Sequence, residues 1–293
     1  MKQTLILDVH SDFSAHMAVA LAWSVSRVSP ELPIHIRVRD CLPQVKWPEQ
    51  VTVQMLRTRH AEKNGLQWLN KLEALAESPA EETLFLDSDM LAFRDIGHWF
   101  GRLGTDDFAF WNSRWTPADV EEGEMRINFL NPHPFCRHYG VAEMPVIHGG
   151  GHFFCRRTRR GEAVLQRIAD IVVEAAEDPD CLYWRLAGGG NVVSDEAAAS
   201  MAVVEQGIEL PPPVIPAPRP PISVFLPPWQ RWTEVDFARN KARYWCEWAQ
   251  AEIEPDLIHF AYTGKDDAAY KAWLESSAYG LKKPGVNPRK ELP

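Results

Sequence analysis

The sequence predicts an α/β protein in which one mostly parallel central sheet is flanked by helices, and three observations carry that prediction. Up to Asp89, short apolar or alternating runs trade places with amphipathic stretches of helical period, in the order βαββαβ. The run Thr83-Leu84-Phe85-Leu86 is almost wholly apolar, as in a strand buried on both faces. That run then delivers two carboxylates, Asp87 and Asp89, at the carboxyl edge where open α/β sheets take their ligands.

The elements follow in order. Leu5 to Asp8 reads as a short strand, and a helix capped near Ser14 follows, with Met17, Leu21, Val25 and Val28 on one face. Ile34, Ile36 and Val38 alternate with polar neighbours, as do Val51, Val53 and Met55, and both runs read as strands. Between Ala61 and Glu77, Leu69, Leu72, Leu75 and Ala76 mark a second amphipathic helix. Beyond Arg94 the pattern is irregular. Phe108 to Trp111 reads as a strand, Asn131-Pro132-His133-Pro134 as a loop, and Gly149-Gly150-Gly151 leads into a strand ending near Arg156. Gly161 to Asp178 is a helix with Val164, Ile168, Ile171 and Val172 on one side. Gly188-Gly189-Gly190-Asn191 precedes Ser194-Asp195-Glu196 and an alanine-rich helix, of which Asp195 is one candidate cap. Pro211 to Pro221 is an extended connector, and Ser223 to Leu226 returns to the sheet. With no repeat and no second boundary in the pattern, residues 1–275 are expected to form a single domain and residues 276–293 a flexible tail carrying Lys282, Lys283, Arg289 and Lys290.

Composition bounds the function. Of 293 residues, 45% are hydrophobic and 24% charged, the balance of a soluble globular chain. A formal charge of −9 argues against nucleic acid as a partner, because no basic excess exists to neutralise phosphates. It leaves a nucleotide open, since a metal supplies positive charge locally. The apolar run after Met1 is too short for a signal peptide or a membrane span and is broken by Asp8. The five cysteines form no Cys-x-x-Cys pair and fit reduced thiols, so a cytoplasmic protein without an integral membrane segment is expected. The twelve tryptophans are read either as packing or, at Trp229 and Trp232, as surfaces on which a sugar acceptor stacks.

Two segments carry chemistry. On a strand, Asp87 and Asp89 point the same way and repel unless a cation lies between them, and Mg²⁺ or Mn²⁺ suits oxygen donors. Acidic pairs at strand ends also serve as turn formers and caps. Near the carboxyl end, Leu257-Ile258-His259-Phe260-Ala261-Tyr262-Thr263-Gly264-Lys265 presents a histidine on an apolar strand, with a Gly-Lys pair soon after. His259 either satisfies a purely structural role or completes an octahedral site with the two aspartates, with Lys265 placed to meet a diphosphate on the same metal.

These residues resemble glycosyltransferase family 8, the glycogenin and galactosyltransferase type, with the Rossmann-like GT-A fold. Leu86-Asp87-Ser88-Asp89-Met90-Leu91 leading to Arg94-Asp95-Ile96 is similar to the family's Asp-x-Asp segment, and His259, Phe260 and Lys265 to its carboxyl-terminal His-Phe-x-Gly-x-x-Lys. Lys71 occupies the place of a family lysine on the helix before the metal strand. Ser11-Asp12-Phe13 is similar to the uridine-binding start, Gly149-Gly150-Gly151 to the family's glycine turn, and Ser194-Asp195-Glu196 to its Asp-Gln-Asp region. The resemblance implies a metal-dependent enzyme that moves a sugar from a nucleotide-diphospho-sugar, a UDP-sugar, to a glycan, lipid or protein acceptor with retention of configuration. Asp87, Asp89 and His259 are then the metal ligands, and Asp12, Ser88, Gly150, Gly151 and Lys265 further donor contacts. Lys71 and Asp195 are implied as catalytic, Asp195 as the carboxylate facing an oxocarbenium-like transition state. Tyr262 departs from the family glycine, Gly264 stands two positions later, Gly149 replaces an amide side chain, and Asp266-Asp267 replaces Pro-Trp. Two other readings are weighed. One is a non-catalytic nucleotide or sugar binder of the same fold. The other is a haloacid-dehalogenase-type phosphatase, for which Asp8 has the right place but His10 the wrong side chain, and Asp87-Ser88-Asp89 comes too late in the chain.

Overall fold

The computed structural model describes residues 1–39, 45–57, 66–103, 106–109, 112–119, 130–147, 151–186, 193–209, 222–247 and 249–275. The chain runs β1 (Gln3–Val9), α1 (Asp12–Val28), β2 (Ile34–Arg39), β3 (Val51–Leu56), α2 (Trp68–Ala76), β4 (Glu82–Leu86) and β5 (Met90–Ala92). It continues through α3 (His98–Leu103), β6 (Phe108–Ala109), β7 (Asn112–Trp115), α4 (Pro132–Tyr139), β8 (Met144–Ile147), β9 (His152–Arg156), α5 (Arg159–Glu177), α6 (Leu182–Leu186) and α7 (Asp195–Glu205). The last elements are β10 (Ile222–Val224), β11 (Gln230–Asp236), β12 (Lys241–Cys246), β13 (Ala251–Ile253), β14 (Leu257–His259) and α8 (Ala268–Leu274). The fold is α/β, with a mixed six-stranded central sheet and eight α-helices among the described residues. None of those helices is long and apolar enough to cross a membrane. Contacts divide the chain into two compact units interleaved in sequence, one of residues 1–8, 58–86 and 98–214, the other of residues 9–57, 87–97 and 215–293.

In the first unit the strand order is β1-β4-β9-β6. β1 and β4 are parallel, with Gln3 opposite Glu82, whereas β9 runs antiparallel to both β4 and β6. The central sheet is therefore mixed, with β9 running against β1, β4 and β6, which share one direction. Alternation in a sequence reports which face a residue occupies, not which way its strand runs. The predicted faces hold: Val164, Ile168, Ile171 and Val172 of α5 are all buried, packed with Phe85, Phe153 and the alanines of α7. Gly161 stands where α5 meets β9, and a Cβ there would lie 2.2 Å from the Arg156 carbonyl oxygen, so only glycine permits that approach. Asn131-Pro132-His133-Pro134 is not a loop but the start of α4. The Asn131 side chain accepts from the His133 N–H, Pro132 sits where an N–H is not needed, and Gly140 closes the helix in the left-handed conformation.

In the second unit α1 is capped by Ser11, with Ser14 completing a capping box, three residues earlier than expected. β2 and β3 pair in parallel. β10 does not return to the central sheet but joins a three-stranded sheet ordered β10-β14-β5, and β11-β12-β13 form an antiparallel meander. The core of this unit is aromatic. Phe225 stacks on Trp232 with ring centroids 4.2 Å apart, and Phe260 on Tyr270 at 4.0 Å. Trp232 also donates its indole N–H to Asp267, so it serves packing, while Trp229 is 51% exposed. β5 is held by side chains from far along the chain: the Ala92 N–H donates to Ser24 Oγ, and Asn240 Nδ2 donates to the carbonyl oxygens of Ala92 (2.6 Å) and Ser24 (3.2 Å). Asn240 itself adopts φ 52°, a conformation asparagine tolerates better than most residues.

Phe110, Trp111, Gly149, Gly150, the 188–191 glycine run, the 211–221 proline segment, Trp248 and the 276–293 tail lie outside the described residues. Cys136, Cys155, Cys181 and Cys246 are free thiols, as expected.

Replacing Asn240 by Ala would leave the buried Ala92 carbonyl unsatisfied in a strained backbone, and we expect a loss of about 2–4 kcal/mol in urea unfolding. Asn240→Gly keeps the backbone conformation and should fall between the two. Equal stabilities for all three proteins would refute the pin.

A candidate metal centre

β4 ends at Leu86, and the chain makes a turn at Ser88 and Asp89 before entering β5 at Met90. Asp87 therefore leads into a turn and Asp89 lies in it, rather than both continuing the strand. β14 pairs antiparallel with β5, placing Leu257 opposite Ala92, Ile258 opposite Leu91 and His259 opposite Met90. One step past the last pair, the Phe260 N–H donates to the Asp89 carbonyl oxygen at 2.9 Å. This register sets His259 beside the acidic turn. On its other side β14 runs parallel to β10, and the Phe225 N–H takes up the His259 carbonyl. All three residues of β14 are buried, which explains its apolar reading.

Asp87, Asp89 and His259 each offer one donor atom, and those atoms all lie within 4.8 Å of one another. His259 Nε2 is 3.2 Å from Asp89 Oδ1, and Lys265 Nζ is 2.7 Å from Asp89 Oδ2. Burial opposes ionisation of Asp89, but the hydrogen bond and charge of His259 and then Lys265 outweigh it and hold the carboxyl well below the usual carboxylate range. Burial likewise opposes protonation of His259. The adjoining Asp89, followed by Asp87, outweighs that penalty and raises the imidazole above its ordinary value. His259 Nδ1 is buried without a hydrogen-bond partner among the described residues, so Asp89 alone holds the ring by its nitrogens.

This donor set fits a hard divalent cation. Around Mg²⁺ at roughly 2.1 Å in octahedral geometry, neighbouring donors stand about 3 Å apart and opposite ones about 4.2 Å apart. The separation between His259 and Asp89 matches neighbouring positions, and two carboxylates with one imidazole suit Mn²⁺ or Mg²⁺ better than a soft metal.

Lys265 lies in a 3₁₀ segment, Tyr262–Asp266. A Cβ at Gly264 would stand 2.2 Å from the Phe225 carbonyl oxygen, so glycine alone lets the segment seat against the end of β10 and set Lys265 down at Asp89. The Gly-Lys order legible in the sequence is thus a packing requirement followed by a charge. Tyr270, on α8, was not singled out by the sequence. Its phenol is buried without a partner among the described residues, and burial followed by the Asp89 charge holds it well above its ordinary pKa. Only its place on the inward face of a short amphipathic helix could have signalled it.

Lys71 and Asp195 meet each other, in the first unit, with Nζ 2.8 Å from Asp195 Oδ2 and side chains only 9% and 5% exposed. The ammonium lies over the rings of Trp68 and Phe85, each 5.2 Å from centroid, and Phe153 at 5.8 Å. Ser194, not Asp195, caps α7, accepting from the Ala197 N–H. Ser88 is half-buried in the acidic turn, Gly151 is buried just before β9, and Asp12 is the first residue of α1, its side chain outside the described part.

No protein-family model matches this chain, and no curated protein matches it.

Lys71→Ala leaves the Asp195 carboxylate buried without its counter-ion, and should cost about 3–5 kcal/mol in denaturant unfolding. Lys71→Ala combined with Asp195→Ala should lose well under the sum of the two single losses. Strict additivity would mean that the pair is not coupled.

Proposed function

We propose that this protein is a glycosyltransferase that uses a divalent metal, Mn²⁺ or Mg²⁺, to bind a nucleotide-diphospho-sugar, a UDP-sugar, and passes the sugar to a glycan, lipid or protein acceptor. The observation that carries this reading is the convergence of Asp87, Asp89 and His259 on one point with Lys265 alongside, from segments far apart in the chain. Asp87, Asp89 and His259 would hold the ion, whose contribution is to offset charge growing on the departing diphosphate as the anomeric C–O bond breaks. Lys265 offers a half-exposed ammonium to a phosphate oxygen. Trp229, exposed on the same unit, is a surface on which an acceptor sugar can stack. Asp12, Ser88, Gly150 and Gly151 are retained as donor contacts, and retention of configuration rests on the family resemblance alone.

One observation favours a second reading, a nucleotide binder that transfers nothing. Asp195, the carboxylate assigned to the oxocarbenium-like transition state, is buried and already paired with Lys71.

Calorimetry of UDP binding with Mn²⁺ and with a chelator tests the reading. We expect binding that needs the metal and weakens at least about ten-fold in Asp87→Asn or Asp89→Asn, the loss of one hard ligand. UDP binding indifferent to both metal and aspartates would overturn it. Metal-dependent binding with no sugar consumed from any UDP-sugar would favour the binder.

A further inference from the structure

We infer that Lys265 is a resident counter-cation of the acidic cluster, displaced by a divalent ion and drawn away by a diphosphate, so that metal and diphosphate each strengthen the other's binding. This rests on the reading of Asp87, Asp89 and His259 as a metal centre.

Both oxygens of Asp89 are engaged. His259 Nε2 approaches Oδ1 at 3.2 Å and Lys265 Nζ approaches Oδ2 at 2.7 Å. An ion entering the cluster must therefore share or take this carboxylate from donors already in place. The imidazole is compatible with the ion, because it becomes a ligand on losing its proton, and its spacing from Asp89 already suits adjacent coordination positions. The ammonium is not. It has no lone pair to offer and would stand within a few ångströms of a double positive charge, in a site where Asp89 is only 9% exposed and screening is weak. Metal entry thus requires Lys265 to swing out.

The geometry permits that swing. The Lys265 side chain is 39% exposed, whereas the backbone beneath it is fixed by the close approach of Gly264 to the Phe225 carbonyl. The ammonium can leave toward solvent while its anchor stays in place. Once released, it is a free donor at the mouth of the cluster, where a diphosphate on the metal would lie. Whatever holds Lys265 off Asp89 favours the metal, and by thermodynamic reciprocity the metal favours whatever holds Lys265. Lys265 therefore opposes metal alone and supports metal with diphosphate, a reversal of sign that a merely structural lysine would not produce.

The test is Mn²⁺ titration of the full chain, followed by the paramagnetic resonance signal of free Mn²⁺, with and without saturating UDP. Wild type, Lys265→Met and Lys265→Gln are compared, with Asp87→Asn as a control. Without UDP, both Lys265 variants should bind Mn²⁺ about ten-fold more tightly than wild type, and with UDP about ten-fold more weakly. Variants that bind Mn²⁺ alone no more tightly than wild type would overturn the inference. If Asp87→Asn then still abolishes Mn²⁺ binding, the metal centre stands and only the role of Lys265 falls. If Asp87→Asn binds Mn²⁺ as wild type does, the metal centre falls and the inference falls with it.

Discussion

The antiparallel register between β5 and β14 is the constraint on which the candidate centre depends. It places His259 opposite Met90 and directs the Phe260 N–H to the Asp89 carbonyl, so the acidic turn and the histidine are fixed by backbone hydrogen bonds rather than by their own attraction. A slip of one residue would turn His259 to the other face of the sheet and leave Asp89 without its imidazole partner. The side chains around β5 hold the same register. Ser24 and Asn240 take up both backbone groups of Ala92, leaving the strand little freedom to slide. Precision at the centre is thus set mainly by uncharged contacts.

Charge is then arranged on that frame. A carboxylate as buried as Asp89 is costly unless it is paired, and it is paired twice, by His259 and Lys265. The Lys71–Asp195 pair in the first unit obeys the same rule in a drier setting, where three aromatic rings supply the remaining surroundings of the ammonium. The two pairs differ in access. Lys71 is closed in, whereas Lys265 keeps one side to solvent. A buried pair is suited to holding shape, and a half-exposed one to exchange.

Much of this was legible in the sequence, and the rest was not for identifiable reasons. The strands at β2, β3 and β4 and the buried face of α5 follow from their apolar patterns, although Arg37 and Arg39 are buried in β2 and Met55 is exposed in β3. Asp87 and His259 were legible because one ends and the other interrupts an apolar run, and Asp89 and Lys265 because of their short spacing from them. The antiparallel entry of β9 was not, because alternation carries no direction. The pairing of Asp195 with Lys71 was hidden by Ser194, which takes the capping role that a lone reading of Asp195 assigns to it. The start of α4 was hidden by two prolines, which read as loop until Asn131 and Gly140 are recognised as its ends. The meander β11-β12-β13 escaped because its strands are half-exposed and rich in charge, with Gln230 to Asp236 showing no clean alternation.

The register of β5 with β14 also has a consequence for the order of events during synthesis. Met90 to Ala92 leave the ribosome long before Leu257 to His259, and until then Asp89 lacks both of its cationic neighbours. β5 meanwhile presents an unpaired edge toward the place β14 will fill. Closing the intervening length of chain carries an entropic cost. The second unit, with its centre, is therefore completed only after translation has passed Lys265, and a nascent chain halted before His259 would carry Asp89 with neither of the cationic side chains that pair with it in the finished fold.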